Sequence, residues 1–153
     1  MSRVTDVDRG YGALLKRAQE LQPKRGVRVG LLAAAASKAY PNGRTVLEVG
    51  IWNEFGTSRI PPRPFLRSWF DTHRVEAVAL ETRLTRQVLE GKLSSRQALV
   101  RFGLWAVRSL RESTPGTPPP NADSTLRRKA TRSTETLRDY GLLLANLTYE
   151  IAL

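Results

Sequence analysis

The side chains that most often carry catalysis or bind metals are sparse in this chain. Its 153 residues include no cysteine and a single histidine, His73. A sequence without cysteine offers no disulfide, no thiolate nucleophile and no cysteine ligand for zinc. His73 falls on or beside the apolar face of a predicted helix, so we expect a histidine at the edge of the core with a local hydrogen bond.

Paired carboxylates and glycine-rich segments give no better support for an enzyme. Glu48 and Glu54 are six positions apart and Glu76 and Glu81 are five apart, without a partner histidine or a metal-ligand spacing. Gly10-Tyr11-Gly12 lacks the later glycine and the preceding strand of a dinucleotide-binding loop. No serine lies in a Gly-x-Ser-x-Gly context. We therefore expect no catalytic residue, no metal, no cofactor and no small-molecule substrate.

Positive charge is the strongest compositional feature. Lys and Arg number 25 against 14 Asp and Glu, a formal net charge of +11. Residues 92–132 hold nine basic and two acidic side chains, which gives +7 locally, and they include the basic loop residues Arg127, Arg128, Lys129 and Arg132. Such a stretch is either a solvated surface or a contact to phosphate or to an acidic protein ring. Without a helix-turn-helix, zinc or ribonucleoprotein motif, it predicts only non-specific contact with DNA.

Length and hydropathy predict a single domain over residues 1–153. The longest nearly uncharged run, Val29 to Ser37, is too short for a membrane span, which needs ~20 apolar residues. The N-terminus has no apolar stretch of the kind that a secretory signal contains. We expect no membrane partner and a protein that stays in the cytoplasm of the cell that makes it.

Hydrophobic periodicity predicts the elements of the first half. Steps of three and four residues predict a helix over 7–21, ended by Pro23, and alternation predicts a strand over 26–32. Residues 45–56 match both a strand and a helix imperfectly. We favour a strand into Val49 and a helical turn from Trp52 to Phe55, closed by Gly56 as a left-handed cap.

The second half is predicted to be mainly helical. Ile60-Pro61-Pro62-Arg63-Pro64 must be a stiff, extended loop, because proline fixes its backbone angle and lacks a donor. A helical rhythm then runs from Phe65 to Gly91, and Ser94 or Ser95 caps a second helix that ends near Ser113. The two helices should form a hairpin.

The proline-rich segment that follows is predicted to be an excursion from the domain. Residues 114–136 form a mobile loop with one helical turn near Leu126, and residues 146–151 form a closing strand. The predicted fold class is α+β: a small mixed β-sheet packed with a long helical hairpin and carrying a basic proline-rich loop.

One segment is distinctive enough to suggest a family. Residues 52–67 read WNEFGTSRIPPRPFLR, and they closely resemble the signature of the small head-tail joining proteins of long-tailed bacteriophages, also called neck, tail-completion or virion morphogenesis proteins. In that family an Asn-Glu-Phe-Gly-Thr segment leads into Ile-Pro-x-Arg-Pro-Phe-Leu and a long helix. The interaction residues that the resemblance singles out here are Trp52, Asn53, Glu54, Phe55, Gly56, Thr57, Ile60, Pro61, Arg63, Pro64, Phe65 and Leu66.

The end of the chain matches more loosely. Residues 139–143, Asp-Tyr-Gly-Leu-Leu, are similar to the family's Asp-Thr-Gly-x-Leu, with Tyr140 in place of threonine, and a closing strand follows. The resemblance implies a structural virion protein without a catalytic step. It implies a homo-oligomeric ring at the junction of capsid and tail, in contact with other neck and tail proteins. The alternative hypothesis is a small basic protein that binds nucleic acid non-specifically.

The signature also allows physical expectations. Its prolines should form a stiff arm that presents Arg63 for a bidentate contact with a carboxylate of a neighbouring subunit. Glu54 should pair with Arg63 or Arg67, within or between subunits. Four aromatic residues either belong to such a contact or close one end of the core: Trp52, Phe55, Phe65 and Trp69.

Overall fold

The computed structural model describes residues 8–21, 25–129 and 133–152. The chain has an α+β fold, as the sequence predicts. Its elements in chain order are α1 (Tyr11–Glu20), β1 (Gly26–Leu31), α2 (Ala33–Ala36), α3 (Val46–Phe55), α4 (Phe65–Leu89), α5 (Ser95–Ser113), α6 (Asp123–Arg128), α7 (Leu142–Asn146) and β2 (Leu147–Ala152). β1 and β2 pair antiparallel, with Gly26 opposite Ala152 and Leu31 opposite Leu147.

The helical hairpin of α4 and α5 is confirmed. α5 begins with a capping box, in which the Ser94 side chain accepts from the Gln97 backbone at 3.2 Å and the Gln97 side chain accepts from the Ser94 backbone at 2.9 Å. This reciprocal pair satisfies donors that the first turn of a helix leaves open. The strand pair packs against α5.

The predicted strand into Val49 is wrong, because α3 is helical from Val46. Another capping box explains the difference: Glu48 N donates to Thr45 Oγ1 at 3.1 Å, and Thr45 N donates to Glu48 Oε2 at 2.8 Å. Without that strand, the sheet in the described ranges is an antiparallel pair and not a mixed sheet. Gly56 ends α3 with the expected positive φ of 78°, but its ψ of 175° is extended.

The main core lies beneath the start of α4. Its buried side chains come from α3, α4, α5, α7 and β2, and they are Val46, Phe65, Leu110, Leu143 and Leu147. A second cluster of Leu84, Val88 and Ala98 joins the two arms of the hairpin. α5 approaches β2 closely where Gly103 faces the ring of Tyr149, since a Cβ at this position would overlap that ring.

Several smaller predictions can also be compared with the structure. α1 runs from Tyr11 to Glu20, so the prediction of a helix from Val7 is wrong over residues 8–10, which are described and not helical; Val7 and Pro23 themselves lie outside the described residues. α6 confirms the helical turn near Leu126 and β2 confirms the closing strand, whereas α2 and α7 were not predicted. Among the described residues, no helix combines the length and the apolar character that crossing a bilayer requires.

Candidate interaction site

Residues 52–67, here called the signature bracket, run from the end of α3 through a proline loop into the first turn of α4. Thr57 closes the loop: its Oγ1 accepts from the Arg59 and Ile60 backbones at 3.1 and 3.0 Å, and its own N–H donates to the Ile60 carbonyl at 2.8 Å. A Cβ at Gly56 would lie 3.0 Å from that carbonyl and from Pro62. Glycine is therefore required at this bend by both space and backbone angle.

Glu54 joins the two helices of the bracket. Its side chain is buried, with the residue only 4% exposed, and its carboxylate accepts from Leu66 N at 3.0 Å, Arg67 N at 3.2 Å and Arg67 Nε at 3.0 Å. Arg67 also donates to the Glu54 carbonyl at 2.8 Å. The expected ion pair of Glu54 is thus made with Arg67, within the chain. Arg63 is not its partner.

Arg63 faces inward, so the expectation that it is presented to a neighbouring subunit is wrong for the described chain. The residue is only 7% exposed, and its Nε and Nη2 donate to the carbonyls of Pro119 and Pro120 at 2.8 and 3.0 Å. Desolvation lowers the pKa of this guanidinium from its usual value. The planar fork is used on two carbonyls of the same chain, and it ties the bracket to the proline-rich segment.

Phe65 and Trp69 belong to the interior. For these two residues, the expectation that the aromatic side chains close one end of the core is confirmed. Phe65 is in the main core, and half-buried Trp69 donates from Nε1 to Ser109 Oγ at 3.0 Å. His73 stacks on Trp69 with ring centroids 5.6 Å apart, and its Nδ1 lies 2.9 Å from the Trp69 carbonyl. This is the local hydrogen bond expected of a histidine at the core edge.

Phe55 is on the surface instead of closing the core. It is 65% exposed, and the guanidinium of Arg67 lies over its ring at 5.1 Å. Trp52 is half-buried and is covered on one face by Arg44 at 5.3 Å. The two aromatic residues of α3 are therefore held by cations at the outside of the bracket.

Phe55 is the last member of an exposed apolar row on α3. Leu47, Ile51 and Phe55 follow one another at intervals of four residues, which places them on one helix face, and they are 42%, 47% and 65% exposed. This row was not singled out from the sequence, because the predicted strand ends at Val49 and the predicted helical turn begins at Trp52, so that Leu47 and Phe55 were assigned to different elements. The signal that identifies it is the Thr45-x-x-Glu48 capping box, from which the helical face follows.

The remaining signature residues support the bracket from within. Asn53 Nδ2 donates to the Val49 carbonyl at 2.7 Å, and its own carbonyl accepts from Arg63 N. Leu66 packs against the main core. Pro61 is exposed, and half-buried Ile60 accepts the turn bond from Thr57. Pro64 precedes α4 at its N-cap position.

The basic loop residues have different environments. Arg127 and Arg128 end α6 and are exposed. Lys129 Nζ donates to the carbonyls of Ser133 at 3.0 Å and Arg138 at 2.8 Å, and also to that of Glu135, while burial lowers its pKa. Arg132 lies outside the described residues. Lys129 thus links the carbonyls of its own loop, whereas Arg127 and Arg128 face solvent.

The two ends of the proline-rich segment are attached to each other. Buried Thr136 donates from its hydroxyl to the Thr117 carbonyl at 2.7 Å, and buried Thr114 bonds back to the Leu110 carbonyl of α5. The contacts of Arg63 with Pro119 and Pro120 lie between these anchors. Mobility of the segment stays a prediction.

No protein-family model, curated protein or solved structure matches this chain. In the described ranges, no group of three or more histidine, aspartate or glutamate side chains is arranged to hold a metal ion. The function is therefore inferred from the signature residues and from the surface that the bracket presents.

Proposed function

We propose that this protein is a structural subunit of the neck of a long-tailed bacteriophage, which forms a homo-oligomeric ring at the head-tail junction and helps to complete or attach the tail. The observation that carries the proposal is the exposed apolar row Leu47, Ile51 and Phe55 on α3, the helix whose last residues begin the signature bracket. The resemblance of residues 52–67 to the neck-protein signature supports the same function.

The row is suited to a protein contact because α3, the helix that carries it, is held rigidly. Glu54, on the same helix, fixes α3 to the start of α4 through three hydrogen bonds to its carboxylate. Single exposed apolar residues are normal on a protein surface, whereas a contiguous row marks a contact surface. A surface that is already ordered loses less entropy when a partner covers it. A second copy of the chain in the ring is the partner proposed here.

The net positive charge of the protein is compatible with a location at the head-tail junction. A subunit at the head-tail junction lies next to the path of the phage genome, so a net charge of +11 favours contact with DNA or with acidic neighbouring proteins. A protein whose main task is to bind nucleic acid would instead bind DNA tightly as a free monomer, and added salt would lower that affinity steeply.

A pair of matched variants tests the proposal. Ile51→Glu places a charge in the apolar row, and Val75→Glu makes the same change on α4 at a side chain that is 82% exposed. Each variant is supplied from a plasmid during infection by the wild-type phage, and purified virions are analysed by mass spectrometry for the peptide that carries the substitution. We expect Val75→Glu in virions at the wild-type level and Ile51→Glu to remain folded but absent from them.

Two results would count against the proposal. Equal incorporation of Ile51→Glu and wild-type protein would remove the apolar row from the assembly contact. Virions that never contain the wild-type chain, together with tight DNA binding by the free monomer, would identify a nucleic-acid-binding protein instead.

A further inference from the structure

A wide groove lies between the signature bracket and the residues that follow α5. Its volume is about 1100 Å³, and its lining includes Ile60 and Pro61 of the bracket and Pro119, Pro120 and Arg128 from the residues after α5. Sites for small molecules have volumes of about 300–1,000 Å³ and enclose most of the ligand. The volume of this groove exceeds that range, which suits a segment of chain better than a small molecule.

The charged side chains of the groove are mainly positive. Five basic residues contribute to it, namely Arg59, Arg63, Arg128, Lys129 and Arg138, and Asp139 is the one carboxylate among the described lining residues. Arg63 and Lys129 are engaged with backbone carbonyls, and Arg138 pairs with Glu135 at 2.9 Å. Arg59 of the bracket and Arg128 of α6 are exposed. A ligand with several negative charges would complement them.

The rest of the lining favours a peptide over a nucleic acid. Apolar side chains, among them Val49, Ile60 and Leu137, line the groove together with the charged ones. Proteins that hold single-stranded nucleic acid stack the bases on aromatic rings. Here one face of Trp52 is covered by Arg44, and Tyr140 packs its ring against Tyr40 with centroids 6.2 Å apart. Trp52 therefore offers at most one open face, and the two tyrosine rings meet edge to face at 65°, so they do not form a stacked platform for bases.

We propose that this groove binds an extended acidic segment of a partner protein. Its carboxylates lie at Arg59 and Arg128, and its apolar side chains lie between Ile60 and Leu137. The inference rests on the proposed function only for the source of the segment, which is a neighbouring subunit of the virion. Binding itself does not require the ring.

Fluorescence anisotropy on the full chain tests the groove directly. The probes are a fluorescein-labelled peptide of three Glu-Leu-Asp-Pro repeats, its neutral counterpart of three Ser-Leu-Ser-Pro repeats, and a labelled oligothymidylate of twelve nucleotides. The variant Arg59→Gln/Arg128→Gln removes the two exposed groove cations for which the described residues provide no ion pair. Arg74→Gln/Arg101→Gln removes the same charge from exposed positions on the hairpin, outside the groove.

We expect the acidic peptide to bind more tightly than either other probe. The groove variant should weaken it by about tenfold or more, and the hairpin variant by less than about twofold, because surface charges at a distance are largely screened. Equal weakening by both variants would overturn the proposal, since it indicates bulk charge alone. Tighter binding of the oligothymidylate, or equal binding of the neutral peptide, would overturn it as well.

The proposal of a ring in the neck and the proposal of peptide binding in the groove can be overturned independently of each other. Ile51→Glu lies outside the groove lining and should leave peptide affinity unchanged. Wild-type protein that enters virions but does not bind the acidic peptide would overturn the groove alone. Protein that binds the peptide but is absent from virions would overturn the neck function alone.

Discussion

The Glu54 carboxylate caps α4 at Leu66, although the two residues belong to different helices. Leu66 N and Arg67 N, the second and third donors of α4, reach its oxygens at 3.0 and 3.2 Å. These are the donors that an N-cap side chain normally satisfies. The N-cap residue here is Pro64, which makes no side-chain cap bond. A negative charge at this position is also favoured by the helix dipole.

Removal of this cap should destabilise the domain. Glu54→Ala leaves two backbone donors without their acceptor, and we expect a loss of about 2–3 kcal/mol in the free energy of unfolding. Glu54→Gln keeps one acceptor oxygen and should lose less. Urea denaturation followed by circular dichroism measures the change. Exposed Glu81→Ala on α4 is the control, and equal stability of the Glu54 and Glu81 variants would contradict the capping role.

Phe65 should be the most costly aromatic residue to truncate. It is only 2% exposed and contributes to the main core, so Phe65→Ala should cost about 3–5 kcal/mol. Half-buried Trp69→Ala should cost less. Phe70→Ala, at a side chain that is 58% exposed, should change the melting temperature little. A melting temperature of Phe65→Ala equal to that of Phe70→Ala would show that this side chain does not stabilise the isolated subunit.

The link between Arg63 and the proline-rich segment predicts a change in protease sensitivity. Arg63→Lys cannot reproduce the two bonds to Pro119 and Pro120, so residues 114–136 should open more often while the rest of the fold is kept. Trypsin should then cleave after Arg127 and Arg128 about tenfold faster than in the wild type. Exposed Arg59→Lys is the matched control. A wild-type cleavage rate in Arg63→Lys would show that the guanidinium does not restrain the segment.

The capping box of α3 makes one contribution to stability dependent on pH. Hydrogen bonds from the Thr45 backbone and hydroxyl lower the pKa of Glu48 below its ordinary value of 4.5. The unfolded chain therefore takes up this proton first as the pH falls, so the contribution is complete above pH 4.5 and is lost as the pH falls through the lower folded pKa. The stability difference between wild type and Glu48→Gln should be constant near neutral pH and shrink in acid. A difference that does not change in acid would contradict this linkage.

The long elements were predictable because their signals are local and repeated. Twenty-five residues of helical periodicity in α4 and a serine cap before α5 leave little alternative to a hairpin. The sequence prediction for α3 was wrong in part, although the signal for this helix is also local. Residues 45–56 alternate well enough to suggest a strand, and the Thr45-x-x-Glu48 cap decides in favour of a helix.

The interior of the site could be predicted only in part. Glu54 and Arg67 were among the expected pairs because complementary charges lie close together in sequence. The partners of Arg63 are backbone carbonyls 56 and 57 positions further along, and no side-chain pattern identifies a carbonyl. The exposure of the apolar row could not be predicted, because it depends on which face of α3 packs against α7, α4 and β1.

Electron microscopy of phage lysates tests the central claim most directly. In the bacteriophage that carries the gene, deletion of the gene should yield filled heads and free tails that are not joined. A plasmid copy of the wild-type chain should restore complete virions. Normal virions from the deletion strain, with heads and tails joined at wild-type yield, would contradict the assignment of this protein to the neck.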